Sequence, residues 1–396
     1  MRSTPLIAVL TLALLVALPL ARVAGAQGTA RSLDIDTSIR AAGMGGASAG
    51  VWWGEPNVWG NPASLAEVHG AGWVDGRTRL VPGLPADIWL KSSRLLLGGA
   101  GVGLSLMGEP LDGIGHERLD YGTNELTDQF GNPIGTFDSF EATEAWGIGV
   151  SPIQLLDAIR HAGGAAGASG PRRIDLAGGY QHKHALIALA PSVAGGEAEA
   201  DCKDWGVSGR IALTSDLSPE APWHMEVSGG YAVLNANDAQ FDFGALGSAP
   251  PSRNYRGGFA MHLSRRSPWS TEGAPPPNWV LSGMPQVFEL GWAKDWGHVD
   301  AGGSPPGYDV DRFGVEGTVL GVLTGRIGHV TDRLEDIVGD TWGFGARIPI
   351  GPWASVAYDR ASVPQARGSG LPNVTRQGWS LWLDPLRITS DLFAER

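Results

Sequence analysis

From residue 71 onward the chain is written in short runs whose apolar and polar residues alternate at every second position, separated by clusters of Gly, Pro, Asp and Asn. A period of two puts successive side chains on opposite faces of an extended strand, so the pattern predicts strands joined by turns. In 312–319, Phe313, Val315, Gly317 and Val319 share one face, while Arg312, Gly314, Glu316 and Thr318 share the other. Run 255–264 sets Tyr255, Phe259, Met261 and Leu263 against Arg256, Ala260, His262 and Ser264. Trp205, Val207, Ile211 and Leu213 oppose Asp204, Ser208 and Arg210, and Met225, Val227, Tyr231 and Val233 oppose Glu226, Ser228 and Ala232. Near the end, Trp342, Phe344, Ala346 and Ile348 oppose Gly343, Gly345 and Arg347. Helical periodicity is confined to 152–160 (PIQLLDAIR), with Pro at its start and a Gly/Ala linker over 161–170.

Fifteen runs fall between 71 and 383. The one at 86–91 is the weakest and single-chain bacterial barrels use even strand numbers, so about 14 strands are expected. Gly321 and Gly351-Pro352 mark tight turns, whereas 107–143, 235–254 and 264–286 read as long loops. Tight turns at one rim and long loops at the other is the barrel habit. A soluble sandwich alternates too. Two features separate the readings. The apolar faces often end in Trp or Tyr, as an interfacial girdle would. The opposite faces carry both signs of charge, at Arg210, Glu226, Arg256, Glu289, Glu316, Arg326 and Arg347, which can pair across a lumen. The expected fold class is therefore all-β: a transmembrane antiparallel β-barrel.

Composition sharpens this reading. The chain spends 16 Trp, whose amphipathic rings suit both water interfaces of a membrane barrel. Gly is 59 of 396 residues without a collagen period, and the single Cys202 excludes an intramolecular disulfide. A formal charge of −12 and the lack of a Lys/Arg cluster argue against a nucleic-acid partner. Residues 1–26 read as a cleaved export signal: Arg2, an apolar run over 6–20, then Ala24-Gly25-Ala26. That run is shorter than the roughly 20 residues that span a bilayer. Its removal takes away Arg2 and Arg22, so −12 becomes −14. The organisation expected is a signal peptide (1–26), an N-terminal hatch or plug (27–70) and the barrel (71–396), in a bacterial outer membrane.

The hatch is read from 41–66, AAGMGGASAGVWWGEPNVWGNPASLA. Gly43, Gly45, Gly46 and Gly50 permit positive φ and close backbone approach, as a segment squeezed inside a lumen needs. Pro62 cannot donate to a ladder and biases Asn61 away from helix, so Asn61-Pro62 can end the plug and re-aim the chain into the wall. A plain Gly-rich linker is the alternative.

The glycine run AAGMGGASAG (41–50), GNPASLA (60–66), and RFGVEGTVLGVLTGRIGHVTD (312–332) followed by TWGFGARIPIGPWASVAYD (341–359) resemble the outer-membrane barrels of the FadL-like superfamily, closest to its PorV/PorQ branch. These stretches cover roughly a quarter of the chain. The resemblance implies a 14-stranded barrel with an N-terminal hatch, in a family whose members pass hydrophobic compounds or serve protein secretion. Val51-Trp52-Trp53 and Trp59 depart from the polar stretch usual there, and the chain end at 391–396 lacks a terminal aromatic.

Chemistry-bearing motifs are few. Gly99–Gly103 (GAGVG) is not followed by a helix and reads as strand. His182 and His184 read as a solvated turn, and no metal site, catalytic residue or cofactor is expected. Asn237, Asp238, Asp242 and Asp128 read as loop solvation. The site residues expected are Gly45, Gly46, Trp52, Trp53, Trp59, Asn61 and Pro62 for a ligand path or hatch, and Arg210, Glu226, Arg256, Glu316, Arg326 and Arg347 as lumen charges. The expected function is non-enzymatic: passive transport of hydrophobic small molecules, or else an accessory or surface-attachment role in protein secretion. Outer-membrane lipids, hydrophobic solutes and secreted or surface proteins are the corresponding partners.

Overall fold

The computed structural model describes residues 29–82, 88–108, 117–162, 174–191, 195–215, 223–266, 286–300, 307–333, 336–351 and 353–384. The export signal, most of the linker at 161–170 and the chain end lie outside the described residues.

The strands are β1 (Gly70–Arg79), β2 (Trp89–Gly99), β3 (Val102–Met107), β4 (Glu117–Thr127), β5 (Pro133–Val150), β6 (Ile174–Ala188), β7 (Glu197–Ser215), β8 (Trp223–Leu234), the two-residue β9 (Phe241–Asp242) and β10 (Ser248–Ala249), β11 (Arg253–Arg266), β12 (Gln286–Asp300), β13 (Tyr308–Val319), β14 (Leu323–Asp332), β15 (Ile337–Ile350), β16 (Ala354–Val363) and β17 (Val374–Leu383). Two helices join them, α1 (Ile39–Gly43) and α2 (Pro152–Ala162). Every pairing in the large sheet is antiparallel, and β1 pairs with both β2 and β17. The ring therefore closes: β1, β17, β16, β15, β14, β13, β12, β11, β8, β7, β6, β5, β3, β2, fourteen strands as expected. Closure leaves no wall edge and satisfies the backbone without water, the condition for spanning a bilayer with strands. Among the described residues no helix is long and apolar enough to span.

One slot of the wall is divided. β3 pairs with Leu95–Gly99 of β2 and Ala145–Val150 of β5, and β4 pairs with Trp89–Ser92 of β2 and Pro133–Thr143 of β5. β3 and β4 thus run in the same direction, one after the other, between the same neighbours, with 108–116 separating them. β4 is the fifteenth strand of the sheet. Beyond Ser139 and Tyr121, the β4–β5 hairpin has no other strand beside it among the described residues and projects past the wall.

The structure corrects several local expectations. The long loop expected at 107–143 contains β4 and the first part of β5. Gly99–Gly103 is the β2–β3 turn, with Ala100 and Gly101 at φ 56° and 79°. His182 and His184 lie inside β6, where His184 Nδ1 is 3.1 Å from Asp201. The rims do not separate by loop length: 235–252 joins β8 to β11 at the distal rim, while 267–285, outside the described residues, joins β11 to β12 at the terminal rim, where β1 begins and β17 ends.

The outward face is apolar. Leu176, Val207, Leu213, Ile327 and Ile348 are about half exposed or more. A surface this apolar on so many adjacent strands is covered by lipid in a stable protein. Above it runs an aromatic band, with neighbouring rings in contact at Trp146–Tyr180, Trp205–Tyr231, Phe259–Trp292, Trp292–Phe313, Phe344–Tyr358 and Tyr358–Trp379. Toward the distal rim the same face turns polar, with cross-strand pairs His298–Asp309 at 2.8 Å and His329–Asp340 at 2.7 Å. The sequence apolar–aromatic–charged is that of acyl chain, interface and water.

Candidate functional site

The wall's inward face is polar, and the N-terminal segment, Thr29 to His69, packs on it. Near the distal rim, Ser32 N–H donates to Glu141 Oε2 (2.7 Å), and Leu33 packs with Ile187, Cys202 and Phe241. α1 lies against β14–β17. The chain then crosses to the other half of the wall. There a 3-10 turn, Pro62–Glu67, touches β2, β3, β5, β6 and β7 before β1 begins.

Charge pairs fasten the segment. Glu316 of β13 accepts from Arg40 Nη2 (2.8 Å) and Nε (3.0 Å), from Arg326 Nε (2.6 Å) and from Trp53 Nε1 (3.2 Å). Arg326 also pairs with Asp359. Arg40, Glu316 and Arg326 are all buried. A second group centres on Arg256: Nη2 donates to the Gly46 carbonyl (2.7 Å) and Nη1 to Asp36 (3.2 Å), and Asp295 lies 3.6 Å away. Asp295 Oδ2 accepts from the N–H groups of Ser48 and Ala49 at 2.7 and 2.8 Å. In a third, Arg210 stands 3.3 Å from Glu67, 3.4 Å from Asp175 and 3.4 Å from Glu226. Gln154 of α2 donates to both Glu67 and Asp175 (2.5 and 2.6 Å), fixing the end of the segment to the terminal rim.

Five of the six expected lumen charges, Arg210, Glu226, Arg256, Glu316 and Arg326, take part in these groups. Arg347 shares their strand parity but is exposed near the terminal rim. Asp36, Asp295, Glu67 and Lys183 were not singled out by sequence reasoning. Asp295 stands one pleat repeat from Ala293 on the inward face and was legible from alternation alone. Lys183, salt-bridged to Asp204 at 2.9 Å with both side chains buried, was hidden by reading its strand as a turn.

The tryptophans face the wall. Trp53 stacks on His262 with ring centroids 4.8 Å apart and planes 10° from parallel. Arg210 lies over Trp52 at 5.1 Å. Trp59 is held between Arg94 at 5.1 Å and Lys183 at 4.9 Å, and it packs with Met107 and Ala145 beside the division of the wall between β3 and β4. Cation–π contacts of this kind strengthen as water is excluded. Asn61 caps the 3-10 turn, accepting from Ala63 N–H (3.0 Å), and its amide donates to the carbonyls of Ala49 (2.9 Å) and Val207 (3.2 Å). Pro62 takes the first position of that turn. Gly45 and Gly46 have φ of 68° and 84°, and a Cβ on Gly45 would fall 2.5 Å from the His329 carbonyl oxygen.

Cavities among the described residues include two that border the segment. One of about 10 Å³ is lined by Arg40, Met44, Ser48 and Glu55, and one of about 20 Å³ by Ile39, Arg40, Val74 and Asp359. Each has room for about one water and for no organic solute. Among the described residues no group of three or more His, Cys, Asp or Glu is placed to hold a metal ion.

No family model and no curated protein matches the sequence. Solved structures similar to the chain include the Pseudomonas putida toluene transporter TodX (12% identity, TM-score 0.38, covering 92% of this chain and 100% of that one). The Ralstonia pickettii toluene transporter TbuX is similar at 11% identity and TM-score 0.37, covering 87% and 97%. A Pseudomonas aeruginosa FadL homologue is similar at 11% identity and TM-score 0.29, covering 90% and 98%. Likenesses this distant assign no residue role and no cargo; the PorV/PorQ branch does not figure among these structures.

Proposed function

We propose that the protein is a bacterial outer-membrane transporter of small hydrophobic molecules, with residues 29–69 as a hatch that is shut in this structure. The observation that carries the reading is the divided wall slot between β3 and β4, next to the apolar cluster of Trp59, Met107 and Ala145. A hydrophobic solute gains nothing from a lumen lined by charges, but it does gain from a short apolar step toward the bilayer. Beside small apolar clusters, the hatch is held by hydrogen bonds and ion pairs, which can exchange with water and so be broken and remade. Trp52, Trp53 and Trp59 then serve as sealing residues in the shut state, and Trp59 is the one placed to meet a solute when the hatch moves.

A second reading has one observation in its favour. The β4–β5 hairpin ends in a turn ordered by Asp128, which accepts from Phe130 N–H and Asn132 N–H at 2.8 and 2.9 Å, and Phe130 at its tip is 79% exposed. A projecting arm with an exposed aromatic tip suits attachment of a surface or secreted protein.

The test is deletion of the gene followed by uptake measurements with toluene as the probe. Slower uptake, restored by the wild-type gene, is the expected result. Unchanged uptake together with loss of a surface protein would decide for the second reading.

A further inference from the structure

The wall meets the hatch through glycine. Gly103, Gly149, Gly179 and Gly206 face one another in register across β3, β5, β6 and β7, and Gly314 faces Gly328 across β13 and β14. All six are on inward strand positions. A methyl group at Gly103 would run into the Leu65 carbonyl, at Gly179 into the Pro62 backbone, at Gly206 into Asn61 and at Gly328 into the amide of Gly45. At Gly149 it would lie 2.6 Å from the Ala66 nitrogen, and at Gly314 2.5 Å from Met44 Cβ. None of the six has the positive φ that would itself demand glycine. Extended strands accept alanine at such positions, and glycine inside a strand otherwise weakens it. Outward glycines on the same strands meet no atom of the hatch: a methyl on Gly178 or Gly317 would have nothing within 4 Å of it, nor would one on Gly325 of β14, and one on Gly209 would meet only Leu176 and Asp175 of β6.

We propose that these two arcs of inward glycine are the seat of the hatch, and that the shut state is specified sterically by the wall as well as by the ion pairs. The first arc receives 61–67 and the second receives 44–45, so the seat grips the hatch on opposite halves of the barrel. The inference rests on the hatch reading above. A single methyl in either arc lifts the hatch backbone from the wall and opens a water path while leaving the barrel ladder intact.

The experiment is ionic current across planar lipid bilayers in KCl, with the full-length protein and the variants Gly179→Ala and Gly328→Ala, one in each arc. Gly178→Ala and Gly317→Ala are the outward controls, and a heat-modifiable gel shift reports barrel assembly. The expected result is sustained current through both seat variants and none through the parent or the controls. Seat variants that assemble and stay silent, or controls that conduct equally, would overturn the proposal. A seat variant that fails to assemble while its control assembles would overturn it too, because glycine would then be a requirement of the wall itself. Glu316→Gln separates this from the underlying reading. If it conducts while the seat variants are silent, only the seat is wrong; if it is silent as well, the hatch reading falls.

Discussion

Glu316 receives donors from three residues in two directions: Arg40 and Trp53 from the hatch and Arg326 from the neighbouring strand. Removing its charge leaves two buried guanidinium groups short of a counter-ion, and breaking one partner of a buried pair costs about 3–5 kcal/mol. Glu316→Gln is therefore expected to raise hydrogen exchange across 36–55 with the wall strands still protected; unchanged protection there would show that the pair does not hold the hatch. Glu55, on the hatch and outside the spanning strands, makes a pH prediction. Burial, reinforced by repulsion from Asp359, pushes its carboxyl up to about 7 from an ordinary 4.5. The seated state thus holds a proton that a released, hydrated Glu55 loses near pH 4.5. Seating is firmest below that value and weakens as pH rises to 7, then levels off. Protection factors over 50–60, corrected for the intrinsic rise of amide exchange with pH, should fall between pH 5 and 7.5, and Glu55→Gln should flatten that profile; parent protection factors that do not change with pH would contradict this.

At the scale of elements, the strands were legible because each has one face against lipid and one against a polar lumen, which keeps period-two alternation intact over β11, β13, β15 and β17. Failures came where that contrast lapses. β4 carries Gly122 at φ 87° and a register shift between Asp120 and Gly122, and much of it projects into water, so its residues look like a loop. The hatch's compact turns were visible in Asn61-Pro62, but its partners were not, since Arg40 and Glu316 are separated by 276 positions. The direction of the tryptophans was equally hidden, because alternation says nothing about a segment without a regular period. Asn61 offers an element-level test. Asn61→Ala removes the cap of the 3-10 turn and two bonds that tie it to Ala49 and Val207. A loss of about 1–2 kcal/mol is expected in local opening of 61–69, read by hydrogen exchange. An effect spread evenly over the whole barrel would contradict a local role.

At the scale of the molecule, the protein is inside-out relative to a soluble domain: apolar residues and aromatic rings face outward, and the interior is joined by ion pairs together with small apolar clusters. In brominated lipid vesicles, fluorescence of the outward Trp146, Trp205, Trp296, Trp342 and Trp379 should be quenched, whereas Trp52 and Trp59, both nearly fully buried, should be spared. Single Trp→Phe replacements assign each contribution, and equal quenching of both sets would contradict the membrane orientation. Charge composition and Trp content pointed to this arrangement, but they could not fix how closely the N-terminal segment packs on the wall. That depended on close contact between hatch and wall, which only the folded chain displays. On the proposed function, transport requires the hatch to leave its place. In a Cys202→Ala background, cysteines at Ala42 and Ala361, which pack in one buried cluster and already carry a Cβ, would join α1 to β16. The decisive measurement is toluene uptake by cells carrying this Ala42→Cys/Ala361→Cys protein, oxidised and then reduced: uptake blocked when oxidised and restored by reductant is the prediction, and uptake at the same rate in both states would contradict it.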